Sequence, residues 1–468
     1  MHAFDLPLHE LRQQLDAQRV SSQDLADICI ARAAASQDIN AWASFNPQAL
    51  RDAAREADRR IAAGERLPLL GIPIALKDNI EAINLPCGAG TTALAGQMPQ
   101  ADSEVVTRLK AAGALIAGKL GMHELAMGIS SHNAVTGAVR NPWDRSRIPG
   151  GSSGGSGAAV AAHLVPAALG TDTGGSIRIP AALCGVTGFR PTVGRVSNVG
   201  IAPISGTRDT AGPLAPTAAD CALLDAVLTG APIMPTRIDL KGVRIGIPRA
   251  AFWNDLEPGV QKACEDALRA LSKAGVEWVE VELPRLTDLC AAASFPIVLH
   301  EFVRDMGIYL RERKRGVTLE ALIADVASPD VRHIVGPLLG DGAIAPAVYR
   351  SALTARAELQ AVYARAFETS QVQALAFPTT PRTAAFVGED ETVELNGVQV
   401  PTFSAFIRHT DPGSTASLPG ISLPAGLSNG LPVGLALDGP IGSDRQLLAI
   451  AEAVQAALPA APATPIPT

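Results

Sequence analysis

The chain has 468 residues, of which 47% are hydrophobic and 18% charged, with a formal net charge of −7. That apolar share suffices for a large buried core, and the scattered Lys and Arg residues, with only a short run at 311–315, argue against a nucleic-acid partner. Six cysteines (Cys29, Cys87, Cys184, Cys221, Cys264, Cys290) without a CxxC pair read as reduced core residues of a cytoplasmic protein, not as a disulfide framework or zinc site.

Residues 1–12 carry acids and no apolar run, so no secretory signal is expected. Residues 1–66 read as an N-terminal helical segment. Ser21 and Ser22 precede Asp24, Leu25 and an Ala-rich periodic run, the pattern of a helix start, and Pro47 opens a second helical run over 49–63. Residues 69–76 (LLGIPIAL) are a short apolar run bounded by Pro and Gly, expected as a buried strand that ends at Lys77. An amphipathic helix is expected at 103–112 and a strand at 114–117. The Gly/Ser cluster at 150–157 leads into a helix at 158–164, an apolar run at 166–170 and a turn at 171–178. The apolar stretch 157–170 is broken by His163 and Pro166 and is too short to span a membrane. Helices at 218–228 and 259–274 then alternate with strands at 243–247 and 276–281. A less regular helical stretch over 286–370 is expected to form a cap. Strands return at 374–377, 421–423 and 433–437, followed by a helix at 444–458 and a Pro/Ala-rich tail at 460–468, expected to fray. Alternating strands and helices without an internal repeat argue for one large α/β domain over 1–468, with its motifs gathered in a core at 67–230.

Gly151-Ser152-Ser153-Gly154-Gly155 satisfies the G-x-S-x-G elbow pattern at Ser153, which requires an acid and a histidine further along. The histidines that follow, His163, His300, His333 and His409, stand in no such context. The cluster is therefore a catalytic turn feeding a helix N-terminus or a flexible linker, and its apolar Ala/Val continuation favours the turn. Residues 113–120 (GALIAGKL) come near a phosphate loop but end in Leu120 where a hydroxyl is needed, and His123-Glu124 lacks the second histidine of a metal-binding helix.

Lys77 has two readings, a solvated strand end or a buried base. As a base it must be neutral, which costs about 4.6 kcal/mol at pH 7 from an ordinary lysine pKa; burial can supply a shift of that size. Asp78 would oppose it on contact, but successive strand side chains point to opposite faces. In residues 171–178 (TDTGGSIR) two glycines precede Ser176, so consecutive N–H groups can converge on one point, as an oxyanion hole requires. A plain glycine turn is the other reading.

Together these segments resemble the amidase-signature family. The stretch 150–180 carries the signature unbroken, Ser152 and Ser176 stand at the separation that family keeps between its catalytic serines, and Lys77-Asp78-Asn79 matches its upstream strand-end lysine. The likeness extends from Leu70 through ISLPAG at 421–426 and GLPVGLALDGP at 430–440. It implies an α/β fold, a mixed β-sheet covered on both faces by helices, and a Ser–cis-Ser–Lys triad. Ser176 would attack the amide carbonyl, Ser152, in a cis peptide bond, would relay the proton, and neutral Lys77 would be the base. The N–H groups of Thr173, Gly174, Gly175 and Ser176 would hold the oxyanion, with Ser153, Asp172 and Arg178 in support and Ala126, Met127 and Gly128 beside the leaving amine. The resemblance implies no cofactor, no metal, no membrane and a small-molecule amide substrate, with a homodimer allowed.

Residues 207–213 (TRDTAGP) and 410–414 (TDPGS) resemble the branch that hydrolyses arylacetamides such as indoleacetamide and mandelamide. Two other readings stay open. One is a hydrolase of anilides, esters or carbamates (urethanes). The other is the glutaminase subunit of a tRNA-dependent amidotransferase, which usually has SLDQ-x-GP in place of TRDTAGP. Segment 125–129 is uncharged and contains Met127, and Phe403 and Phe406 fall just before His409, so the acyl pocket is expected to be neutral and apolar.

Overall fold

The N-terminal helices start where side chains satisfy free backbone N–H groups. Ser21 Oγ accepts from Asp24 N at 3.0 Å while Asp24 accepts from Ser21 N at 2.8 Å, a reciprocal cap that opens the helix Ser22–Ala35. Asn46 Oδ1 accepts from Ala49 N at 3.1 Å, and Pro47 supplies the first residue of the helix Pro47–Ala62. The computed structural model describes residues 6–233 and 238–459, together with Phe4 and Thr464. Most of the tail at 460–468 lies outside the described residues.

Eleven strands form one mixed sheet: β1 Trp42–Phe45, β2 Pro73–Lys77, β3 Leu115–Leu120, β4 Ala167–Asp172, β5 Thr187–Arg190, β6 Thr210–Ala215, β7 Arg244–Ile247, β8 Glu277–Glu280, β9 Ala374–Pro378, β10 Gly420–Ser428 and β11 Leu431–Asp438. Their spatial order is β1-β3-β2-β4-β6-β5-β10-β11-β9-β7-β8. β2 runs parallel to β3 and β4, with Leu76 opposite Leu169, and β4 runs antiparallel to β6 with Asp172 opposite Thr210. This register brings the C-terminal ends of β2 and β4, which bear Lys77 and Asp172, to the same edge of the sheet. The expected mixed sheet with helices around it is the architecture of the chain.

Several boundaries differ from the sequence reading for identifiable reasons. The N-terminal segment expected to be helical also contains the edge strand β1, paired with β3. The strand expected at 69–76 is β2 and begins at Pro73, because Leu69 to Ile72 turn back on themselves through the bond from Ile72 N to Leu69 O. The helix after the Gly/Ser cluster begins inside it, at Gly154. Gly155 there packs directly on backbone: a side-chain carbon added to it would lie 2.4 Å from Gly121 O. β5 and β6 escape a sequence reading because Gly188, Gly212 and Pro213 look like turn residues and both strands are fully buried, without alternation.

The stretch 286–370 contains the helices Leu286–Glu312, Leu319–Ala324, Pro329–Val335 and Pro346–Ser370. By length and composition Leu286–Glu312 is long and apolar enough to cross a membrane, unlike 157–170; Leu289, Ala293, Ile297 and Phe302 on it are buried in the protein. All six cysteines are buried and free.

Candidate active site

β2 delivers Lys77 into the interior, where it is fully buried. Its Nζ lies 2.8 Å from Ser152 Oγ, 2.8 Å from Thr171 Oγ1 and 3.4 Å from Thr171 O. A neutral amine has two hydrogens and one lone pair, so Thr171 can take both hydrogens and leave the lone pair for the Ser152 hydroxyl. Burial pulls the Lys77 pKa down to about 7, against the opposing charges of Asp172 and Asp209. Asp78 is turned to Lys119 instead, 3.6 Å away. Lys119, the lysine of the near-phosphate-loop segment, thus ends buried on β3 beside Asp78.

Ser152 follows a cis peptide bond from Gly151, and its carbonyl accepts from His123 N at 3.2 Å. Ser153 Oγ donates to Thr171 O at 3.1 Å, and Ser153 N donates to Ser176 O at 3.2 Å. Ser153 therefore couples the Gly/Ser cluster to both β4 and the turn after it.

That turn, residues 173–176, has every carbonyl tied down. Thr173 O accepts from Arg208 Nη2 at 3.1 Å, Gly174 O from Thr410 Oγ1 at 2.7 Å, Gly175 O from Ile179 N at 2.8 Å and Ser176 O from Ser153 N. Among the described residues the N–H groups of Gly174, Gly175 and Ser176 take no partner, so the peptide planes are fixed with these donors free. Gly175 has φ +146°, and a side-chain carbon on it would lie 2.2 Å from Thr410 Oγ1. Ser176 Oγ likewise has no partner among the described residues, and Ser176 lines a cavity.

Below the turn, Arg178 Nε donates to Asp172 Oδ2 at 3.2 Å and Arg190 Nη1 to Asp172 Oδ1 at 3.0 Å, all three side chains being fully buried. Burial alone would raise the Asp172 pKa, but the two guanidiniums outweigh it and hold the carboxyl well below the usual carboxylate range. Burial also lowers Arg190, to about 10. Asp172 also accepts from Ile177 N at 3.1 Å, which fixes the start of the helix Arg178–Cys184 behind Ser176.

The cavity wall contains Ala126, Met127 and Gly128, together with Thr173, Gly174 and Ser176. The long helix adds Ser294, Phe295, Val298 and Leu299, and the helix Pro329–Val335 adds Ile334. Phe403 also lines the cavity, with its ring 5.7 Å from that of Phe295. Phe406 departs from expectation: it does not line the cavity but is fully buried in the apolar cluster with Ile129, Ile148 and Ile179, against which Phe403 also packs. Residues three apart share a face only roughly, and the short helix Thr402–Ile407 turns Phe403 to the cavity and Phe406 to the core. The pocket is also not wholly neutral, since Arg208 and Asp411 line it as a directly bonded ion pair.

Sequence reasoning passes over Thr171, Asp209, Arg208 and Asp411. The last three lie within the two segments singled out as TRDTAGP and TDPGS, but those segments carry no sign of which side chain turns inward. Asp209 accepts from Thr173 Oγ1 at 2.6 Å and from the N–H groups of Ile204 and Ser205, and burial raises its pKa to about 6.

Residues 24–448 match the family described as Amidase. An indoleacetamide hydrolase of Agrobacterium vitis is 44% identical over 97% of this chain and 98% of its own length. A mandelamide hydrolase of Pseudomonas putida is 40% identical over 98% of this chain and 92% of its own. A crystal structure of an amidase superposes with a TM-score of 0.88 at 35% identity, over 97% of this chain and 100% of that one.

Proposed function

The chain belongs to the Amidase family and is a hydrolase acting on amides; on that premise we propose that it converts aryl or arylalkyl carboxamides to the acid and ammonia through an acyl-enzyme on Ser176. The observation that carries this reading is the buried Lys77 Nζ, 2.8 Å from Ser152 Oγ, at a site whose mostly apolar cavity exposes Ser176. In the first half-reaction Ser152 takes the Ser176 hydroxyl proton while passing its own to neutral Lys77. Ser176 Oγ adds to the carbonyl, and the free N–H groups of the 173–176 turn receive the developing oxyanion. Collapse expels ammonia, which leaves with the proton returned from Lys77 through Ser152. Water then repeats the sequence on the acyl-enzyme and restores the Ser176 hydroxyl. Asp172 with Arg178, and Ser153, hold the turn and the cluster in register. Ala126, Met127 and Gly128 line the leaving-amine side.

The likeness to hydrolases named for indoleacetamide and mandelamide supports an aryl substrate, as do Phe295 and Phe403 in the wall. In this reading the enzyme is one amidase unit over 1–468, with 286–370 as a cap over the cavity. It acts in the cytoplasm on a small diffusible amide, without cofactor or metal, alone or as a homodimer. The carbamate and amidotransferase alternatives are not favoured by these relatives. Ammonia release by the purified chain alone, offered phenylacetamide, indoleacetamide, mandelamide, benzamide, glutamine and a nitroanilide, tests the reading. Aryl amides are expected to outpace glutamine, and glutamine turning over as fast as phenylacetamide would overturn it.

A further inference from the structure

Resting on the arylacetamide reading above, we propose that Asp411 selects acyl groups that carry an O–H or N–H donor near the scissile carbonyl, so that the preferred substrates are donor-bearing arylacetamides. Apart from the 173–176 turn, the lining of the cavity is apolar except for one patch, made by Arg208, Ser294 and Asp411. Arg208 Nη1 donates to Ser294 O at 3.2 Å and Ser294 Oγ at 2.7 Å. Its Nη2 donates to Thr173 O at 3.1 Å and to Asp411 Oδ1. The Nη hydrogens are therefore spent inside the protein, and the residue is only 1% exposed. Thr173 Oγ1 has likewise given its hydrogen to Asp209.

Asp411 is different. Its Oδ1 accepts from Arg208 and its Oδ2 from Cys290 Sγ, a weak donor, at 3.3 Å. A carboxylate has about four acceptor sites, so about two remain. The side chain is 11% exposed and lines the cavity. A side-chain carbon added to Gly174 would lie 3.1 Å from Asp411 Oδ1, which places the carboxylate against the glycine pair that leads into Ser176. The patch thus presents acceptor capacity close to where the acyl carbonyl must sit, while the guanidinium behind it has no Nη hydrogen to offer. An acyl group with a hydroxyl or ring N–H in reach satisfies that acceptor. One without it leaves a carboxylate desolvated, and one bearing its own carboxylate is repelled.

The test compares kcat/KM for phenylacetamide with that for each enantiomer of mandelamide, which adds a single hydroxyl, on the wild-type chain and on Asp411→Asn. The wild type is expected to favour the better mandelamide enantiomer by about tenfold or more, the size of a hydrogen bond to a charged group. Asp411→Asn keeps an oxygen for Arg208 and should bring the ratio towards one while phenylacetamide is still turned over. Asp411→Glu, which keeps the charge but displaces it by a methylene, serves where Asp411→Asn does not fold, and the same loss is expected. Parity between the substrates in the wild type, or an unchanged ratio in the folded variants, overturns the proposal. Ammonia release from both substrates at equal rates would end only the role of Asp411, whereas no release from any arylacetamide would end the proposed function itself.

Discussion

Asp78 turns its carboxylate to Lys119, 3.6 Å away, and among the described residues its chain neighbour Lys77 bonds to hydroxyl and carbonyl oxygens alone. Burial can therefore lower the Lys77 pKa to about 7 without a carboxylate in contact to reverse it. Activity is expected to rise as pH increases through about 7, where Lys77 loses its proton, and to fall on the acid side. Lys77→Met, which keeps the stem and removes the amine, should abolish acylation. A pH–rate profile of kcat/KM that stays flat from acid to neutral pH would rule out a neutral-lysine base.

How far the sequence reaches is visible at this same lysine. Lys77, Ser152 and Ser176 are legible because motif order and spacing survive in one dimension. The atoms that hold Lys77 Nζ are not. Thr171 looks like any strand residue, and its role depends on β4 lying beside β2, a pairing between segments almost a hundred residues apart in the chain. The cavity is legible on its near side, through residues 126–128, and hidden on its far side. Phe295 and Val298 sit on a helix interrupted in sequence by Pro296, and nothing local says which face of it meets Ser176. Arg190 is hidden by being a charge inside a fully buried strand, explained by its bonds to Asp172 and to the carbonyls of Arg208 and Ser414.

Ser176→Ala should leave a folded protein with essentially no turnover, because only the nucleophile's oxygen is removed. Ser152→Ala should also lose several orders of magnitude, since members of one relay fail as a unit. Retention of more than about a tenth of wild-type kcat in Ser152→Ala would show that Lys77 reaches Ser176 by another route.

Gly175→Ala tests the turn. The added methyl would lie 2.2 Å from Thr410 Oγ1, at φ +146°, where side chains are disfavoured. The turn must shift, and with it the free N–H groups. We expect kcat to fall by about a hundredfold or more, as loss of one oxyanion donor does elsewhere. The melting temperature, measured alongside, separates displaced donors from unfolding, and wild-type kcat in a folded variant would count against an oxyanion hole at 173–176.

Asp172 should govern acid stability. Its pKa is held below the unfolded value by Arg178 and Arg190, so its contribution is present above the ordinary carboxylate range, near pH 4, and is lost as pH falls through the folded value. Asp172→Asn leaves two buried guanidiniums short of a counter-charge and should cost about 3–5 kcal/mol at neutral pH. Denaturant titrations across pH should show the gap between wild type and variant closing only in strongly acid solution. A gap that is small at neutral pH would mean the arginines are balanced by other groups, such as Asp438 near Arg178.

Phe295 and Phe403 meet with centroids 5.7 Å apart and planes inclined at 62°, an edge-to-face pair. Phe295 is 43% exposed although it is a large apolar side chain, and it borders the cavity. A ring in the substrate would cover that surface. Burial of an aromatic ring is worth about 2 kcal/mol or more, which corresponds to a preference of about thirtyfold in kcat/KM for phenylacetamide over acetamide. Edge-to-face contacts contribute about 0.5–1.5 kcal/mol beyond area, so Phe403→Ala and Phe295→Ala should each narrow that preference by about threefold or more. Acetamide turnover supplies the internal control, because it makes the same demands on Lys77, Ser152 and Ser176 but carries no ring. A variant that slows both substrates equally has disturbed the chemistry, and one that leaves the ratio untouched shows that the acyl ring lies against other residues of the lining, such as Met127 and Ile204.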